Sequence, residues 1–165
     1  MKLAKNLERL GTETAFSVLA EAKKLEAKGK PMIHLGLGQP DFKTPKHIVD
    51  AAKKALDDGH HGYVLSNGIL ECRQAVTRKI KKLYNQDIDP ERIIIMPGGK
   101  PTMSYAIQCF GEPGVEIVPP TPAFPIYESM INFTGAKPVP YDLTEDKDLK
   151  FNPEKILSLI NEKTK

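Results

Sequence analysis

No tryptophan occurs in this chain, and cysteine occurs only twice. Two thiols cannot make the disulfide framework that staples small secreted domains. Cys72 and Cys109 each sit inside an apolar helical pattern, which matches buried free thiols in a reducing compartment better than a disulfide or a metal pair. Long apolar runs are missing too. None approaches the ~18 residues that a membrane-spanning helix needs, and the opening "MKLAKNLERL" has no signal-peptide core. A cytoplasmic protein with no membrane contact is expected. Charge of one sign is also scarce, since 24 Lys and Arg against 21 Asp and Glu leave a formal +3. The lysines are too scattered for a nucleic-acid stripe. The densest basic run, "RKIKK" at 78–82, is interrupted by Ile80 and reads as the wet side of a helix.

What is present suffices for a globular domain. Of 165 residues, 40% are hydrophobic and 27% charged, enough to build one real core. Ala15, Val18, Leu19, Ala22 and Leu25 recur at helical spacing over 14–28, and Gly29 is a stop signal. "PMIHL" (31–35) is a strand candidate, followed by the loop "GLGQPDFKTP". Thr44 is the expected cap of a second helix with Pro45 at its first position and Gly59 after its end. Ile69, Val76, Ile80, Leu83 and Tyr84 mark one face of a long helix. "RIIIM" (92–96) reads as a buried strand and 101–110 as the next helix. "VEIV" (115–118) is a strand, 126–133 a helix, and "KPVPY" strand-like, placed at an edge by its prolines. Asn152 and Pro153 open a last helix to about residue 161. Strands alternating with helices predict an α/β domain with a mostly parallel sheet. A helix of this kind normally leads into another strand, so the sheet is expected to be incomplete at the C-terminus.

The segment "ERIIIMPGGKPTMSYAIQCF" (91–110) carries the first hint of chemistry. A helix start offers unpaired backbone N–H groups and the positive end of the dipole, and glycines let an anion approach them. Gly98 and Gly99 end the strand, Lys100 adds a cation, and Pro101 starts the helix without wasting a donor. The corner is not a P-loop, because Ile94 stands where the first glycine belongs and Pro101 where Ser or Thr belongs. Nor do residues 98–103 supply Gly-x-Gly-x-x-Gly. By itself the corner is either a phosphate cradle or a plain strand-to-helix turn.

Three motifs in order carry a resemblance: "LGLGQPDFKTPKHI", "YVLSNGILECRQAV" and "PGGKPTMSYAIQCFGEPGVEIVPPTPAFPIYESM". Together they resemble the class I/II aminotransferases, pyridoxal-phosphate enzymes of aspartate aminotransferase fold (fold type I), close to the branch with aspartate and LL-diaminopimelate aminotransferases. The likeness covers nearly all of the chain. It implies that residues 1–44 are an N-terminal arm, helix and strand of the small domain, and 45–165 the N-terminal portion of the large cofactor-binding domain.

The resemblance also implies roles, each beside a plainer alternative. Gly38 would offer its N–H to the substrate's α-carboxylate; otherwise it is a loop glycine with positive φ. Tyr63 would reach across a homodimer interface to the cofactor phosphate of the neighbouring subunit; otherwise it is a half-buried tyrosine. Gly99 and Lys100 would give backbone N–H groups to the phosphate of pyridoxal 5′-phosphate, while Pro101 has none to give. Lys100 would also meet the distal carboxylate of an acidic amino acid; otherwise it is a solvated lysine at a helix start. Phe124 would stack on the cofactor ring and Tyr127 line the same pocket; otherwise both pack under the stiff "PPTP" loop.

The reaction implied is amino-group transfer between an amino acid and a 2-oxo acid, the cofactor acting as electron sink. It needs a lysine that forms the resting Schiff base and shuttles the α-proton. By the resemblance that lysine lies beyond residue 165, with the aspartate, asparagine and arginine that complete the site. An inactive N-terminal fragment is therefore expected. Two alternatives stand beside it: a non-catalytic dimerising or binding module of the same fold, and a pyridoxal-phosphate-dependent lyase relative.

Overall fold

The computed structural model describes residues 2–11, 14–144 and 149–165. Contacts divide the chain into two compact units, Met1–Leu37 with Gly98–Lys165, and Gly38–Pro97.

The first unit is built on two parallel stretches of chain that run side by side. Strand β1 (Glu116–Ile117) pairs with β3 (Lys137–Pro138), and β2 (Pro120–Thr121) with β4 (Tyr141–Asp142), both in parallel. The N–H groups of Lys137, Val139, Tyr141 and Leu143 donate in turn to the carbonyls of Val115, Ile117, Pro119 and Thr121, at 2.7–2.9 Å. Pro138 and Pro140 fall at the intervening positions, whose N–H groups would point away from this partner, so their missing donors cost the ladder nothing. Among the described residues nothing pairs on that outer side, and the expected edge is where the prolines put it.

On the opposite side of β1, the Glu116 N–H donates to the Lys163 carbonyl (2.9 Å) and the Lys165 N–H to the Glu116 carbonyl (3.1 Å). Residue Thr164 thus bridges Glu116 in parallel. The Glu116 carboxylate adds side-chain bonds from Lys137 Nζ (3.0 Å) and Asn161 Nδ2 (2.8 Å), tying both neighbours to β1.

Helices α4 (Gly99–Phe110) and α5 (Ile126–Thr134) pack on each other. Val115, Ile131 and Ala136 form the buried core, with Ile107 and Ile117 against it. A 3₁₀ turn, Lys5–Arg9, lies on α5. There Arg9 donates to the carbonyls of Asn132 and Phe133, both at 2.8 Å, adding a donor at a helix end where acceptors run short; the Asn132 carbonyl also takes the Gly135 N–H. Helix α1 (Thr14–Glu26) buries Ala22 and half-buries Ala15, Leu19 and Leu25. It stops where Gly29 turns left-handed (φ +79°) and the Lys30 N–H reaches back to the Leu25 carbonyl. Helix α6 spans Pro153–Leu157, capped by the Asn152 side chain on the Lys155 N–H. It is shorter than expected because the chain tightens into i→i+3 turns after Ser158.

The second unit holds α2 (Lys46–Asp57), α3 (Leu70–Tyr84) and a 3₁₀ turn at Pro90–Arg92. Pro45, not Thr44, occupies the cap position of α2, and no side chain caps it. Arg73 is buried, only 2% exposed. Its Nε donates to the Gly68 carbonyl (3.1 Å), and its Nη1 to the Pro90 carbonyl (3.1 Å) and Glu91 Oε1 (2.8 Å). The run 78–82 is the wet side of α3 as expected, with Ile80 half-buried among exposed cations.

Two expected strands are corrected. Residues 31–35 and 92–96 pair with nothing among the described residues, and Ile33 and Leu35 are 88% and 90% exposed. β-branched composition favours an extended chain, but a strand exists only with a ladder partner. Buried thiols are corrected in part: Cys72 is half-buried and Cys109, on the exposed side of α4, is open to solvent.

Candidate active site

The glycine corner is a helix mouth. Gly98 stands at the cap of α4 with φ +109° and ψ +165°, a backbone region almost confined to glycine. The helix begins at Gly99, two residues before the expected start at Pro101. Proline is tolerated in the first turn because the N–H it lacks has no helical acceptor, so Pro101 does not have to be the first helical residue. The backbones of Gly99 and Lys100 therefore form that first turn. Among the described residues no side chain caps it: Gly98 has none to offer, and Thr102 turns its hydroxyl back onto the Gly98 carbonyl (2.9 Å). A β-carbon on Gly99 would meet nothing within 4 Å.

Around this mouth the structure gathers three aromatic rings. Lys100 Nζ lies 5.6 Å from the ring centroid of Phe124 and 5.0 Å from that of Phe16. Phe124 meets Tyr127 edge-on, with centroids 6.5 Å apart at 89°. Phe124 and Tyr127 line one hollow of about 440 Å³ walled by Pro119, Pro122, Pro138 and Pro140. Lys100 lines a neighbouring hollow of about 540 Å³ with Arg9, Gly11, Glu128 and Ser129. The arrangement offers backbone donors and a positive dipole end for an anion, and a flat apolar face beside them. Among the described residues no group of three metal-ligating side chains gathers.

Gly99, Lys100, Phe124 and Tyr127 thus share one compact unit, while Gly38 and Tyr63 belong to the other. Gly38 is exposed with open space where a β-carbon would stand, and its φ is not left-handed. The plainer reading of Gly38 as a positive-φ loop residue therefore does not hold. Tyr63 is fully exposed rather than half-buried.

Residues 30–165 match the family of aminotransferase class I and II. The chain belongs to that family. Over all 165 residues it is 36% identical to the aspartate aminotransferase of Bacillus subtilis, of which it covers 42%. Over 142 residues it is 41% identical to a (5-formylfuran-3-yl)methyl phosphate transaminase of Methanocaldococcus jannaschii, covering 86% of this chain and 38% of that protein. The fold agrees. The chain superposes in full on 43% of a Thermus thermophilus aspartate aminotransferase with maleate, at a TM-score of 0.91 and 28% identity. An alanine aminotransferase from Pyrococcus furiosus gives 0.90 at 30% identity, over 99% of this chain and 42% of that one. The chain spans about two fifths of the length of the curated relatives it matches.

Enzymes of this aminotransferase family use pyridoxal phosphate, and the fold is the α/β fold of aspartate aminotransferase with parallel strands. The residues present fit a phosphorylated aromatic cofactor. Among the described residues no side chain caps the helix mouth, and Phe124, 5.6 Å from the Lys100 ammonium, borders an adjoining hollow.

Two residues escaped sequence reading. Phe16 lies off the apolar stripe of α1, and an aromatic off the stripe was the available signal. Arg73 had none, because an arginine on an amphipathic helix reads as solvent-facing.

Proposed function

We propose that the protein transfers an amino group between an amino acid with an acidic, aspartate-like side chain and a 2-oxo acid, using pyridoxal 5′-phosphate. One observation carries this reading: the glycine-cornered mouth of α4, uncapped among the described residues, with the Lys100 ammonium 5.6 Å from the Phe124 ring. Family membership and the repeated name aspartate aminotransferase among the relatives support it.

In this reading the backbone N–H groups of Gly99 and Lys100 hold the phosphate with the help of the helix dipole. Pro101 adds no donor, so the cradle rests on fewer amides. Phe124 covers the ring of the cofactor and keeps water from it, with Tyr127 bracing Phe124 edge-on. The Gly38 N–H binds the α-carboxylate, and the open space around Gly38 leaves room for it. The Lys100 ammonium pairs with the distal carboxylate. When bound, the cofactor supplies an electron sink for the substrate's α-carbon.

Tyr63 contacts the phosphate of a second subunit in a homodimer, which its full exposure supports, as do exposed Val64 and Leu65 beside it. Residues 1–44 belong to the small domain and 45–165 to the large one. Among the described residues no helix is long and apolar enough to cross a membrane. Two unpaired thiols suit a reducing, cytoplasmic setting.

We further propose that these 165 residues alone do not turn over, since the family resemblance gives none of their lysines the proton-shuttling role. The test is an absorbance titration of the full-length protein with pyridoxal 5′-phosphate, followed by coupled assays with aspartate and alanine against 2-oxoglutarate. Saturable binding and faster turnover of aspartate are expected. Absence of binding, or a preference for alanine, overturns the reading. A rate from the 165-residue polypeptide above a free-cofactor control overturns the inactivity.

A further inference from the structure

The hollow of about 540 Å³ is lined by Arg9, Leu10 and Gly11 from the N-terminal segment and by Glu128, Ser129 and Asn132 from α5. None of these residues has a part in the function proposed above. Arg9 and Glu128 bring opposite charges to the one hollow, and among the described residues neither enters an ion pair. We propose that this hollow is a binding site for a free α-amino acid, its carboxylate held by Arg9 and its ammonium by Glu128. Lys100 also lines the hollow and is given no part in this binding. Neither cofactor nor turnover is required for it.

Arg9 is already fixed in place. Its Nε and Nη2 donate to the Asn132 and Phe133 carbonyls, both at 2.8 Å. Those acceptors are neutral, so the charge of the guanidinium is not cancelled. Nη1 and the second N–H of Nη2 still form a fork matched to a carboxylate. The segment is pinned again at Gly11, whose N–H donates to Ser129 Oγ at 3.0 Å while its carbonyl accepts from that hydroxyl at 3.3 Å. Glu128 stands four residues before Asn132 on α5, so the two positions share a face about 5–6 Å apart. An arginine anchored at Asn132 and a carboxylate at position 128 leave a gap that an α-amino acid bridges, because both its charges sit on one carbon. An anion alone would meet repulsion from Glu128, and a cation alone from Arg9; a zwitterion pairs with both. The α5 dipole favours the opposite orientation, but direct charge-assisted bonds are the stronger effect.

The test titrates the full-length protein, freed of cofactor, with alanine, propionate and ethylamine, and follows its glycine amides by NMR after selective isotope labelling. The Gly11 amide reports on the hollow and the Gly99 amide on the mouth of α4. Alanine is expected to shift Gly11 saturably, while propionate and ethylamine, each lacking one of the two charges, bind about tenfold more weakly. Glu128→Gln is expected to lower the alanine affinity about tenfold and bring it level with propionate. Arg9→Gln is expected to bring alanine level with ethylamine. If Arg9→Gln displaces the Gly11 resonance before ligand is added, the segment itself has moved, and Glu128→Gln with the three ligands decides. Alanine binding no better than propionate, or undiminished in Glu128→Gln, overturns the proposal, and so does a saturable shift of Gly99 with Gly11 unmoved. Should the protein neither bind pyridoxal 5′-phosphate nor transfer amino groups, the function proposed above falls and the outcome of this titration stands.

Discussion

Gly68 and Ile95 approach so closely that a β-carbon on Gly68 would stand 2.7 Å from Ile95 Cγ1. The contact is reinforced next door, where the Ile95 N–H donates to the Asn67 carbonyl (3.1 Å). Gly68 also has φ +96°, a conformation that side chains resist. Strain and overpacking therefore act together in Gly68→Ala, with an expected loss of about 2 kcal/mol or more. Thermal or urea unfolding measures it, and an unchanged midpoint contradicts the geometry.

Arg73 makes a second prediction about the same region. Its guanidinium is buried, but Glu91, its charged partner, is 68% exposed. Removing the arginine strands the Gly68 carbonyl and takes one of two donors from the Pro90 carbonyl, which the Ile93 N–H also reaches, whereas neutralising Glu91 leaves an oxygen still able to accept. Arg73→Ala should cost about 2–3 kcal/mol, and Glu91→Gln no more than ~1 kcal/mol because that end faces water. Arg73→Lys should recover little, since one ammonium cannot span both the Nε and Nη1 partners. Denaturation of the three variants side by side checks the order, and equal losses from Arg73→Ala and Glu91→Gln contradict it.

These two residues also mark where sequence reasoning reaches and where it stops. The alternation of helices and strands, the proline-marked edge at 138–140 and the glycine corner at 98–99 were legible because each follows from local chemistry: a missing N–H, a permitted φ, an apolar stripe. The strands at 31–35 and 92–96 were not, since composition shows a preference for extension and says nothing of a partner. The start of α4 was misplaced by two residues because proline fits several first-turn positions equally. Arg73 and Phe16 are defined by residues distant in the chain, Pro90 and Glu91 for one and Lys100 for the other. The roles of Gly38 and Tyr63 came from resemblance alone, and their own surroundings are open space.

Glu116 predicts an acid limb in the stability curve. Hydrogen bonds from Asn161 and then Lys137 hold its carboxyl below the ordinary carboxylate range, against a smaller opposing effect of burial. The folded state therefore binds a proton here less readily than the unfolded chain does. The stabilisation is complete above the unfolded value, near ~4.3 for glutamate, and is lost as pH falls through the lower folded value. Melting temperatures between pH 3 and 7 should fall on the acid side, and Glu116→Gln should flatten that fall. Because the same carboxylate joins β3 and the 161–165 segment to β1, Asn161→Ala should raise the Glu116 pKa as read by carboxyl carbon NMR. A Glu116→Gln curve parallel to the parent's removes the linkage.

The two glycines at the mouth of α4 make separable predictions. Gly98 has a backbone only glycine readily adopts, while Gly99 is helical and has no neighbour within 4 Å of a β-carbon. Gly98→Ala should therefore cost about 1–3 kcal/mol of stability and disturb the first turn. Gly99→Ala should leave the fold as stable as before or slightly better, since alanine is the stronger helix former. If the first-turn amides cradle a phosphate, its oxygens approach where the Gly99 β-carbon would project. Gly99→Ala should then weaken pyridoxal 5′-phosphate binding about tenfold or more, as expected where a glycine admits close backbone approach. The decisive pattern is unchanged melting of the cofactor-free protein with weakened cofactor affinity in Gly99→Ala. Full affinity in that variant would detach the phosphate from this helix mouth, whatever Gly98→Ala does.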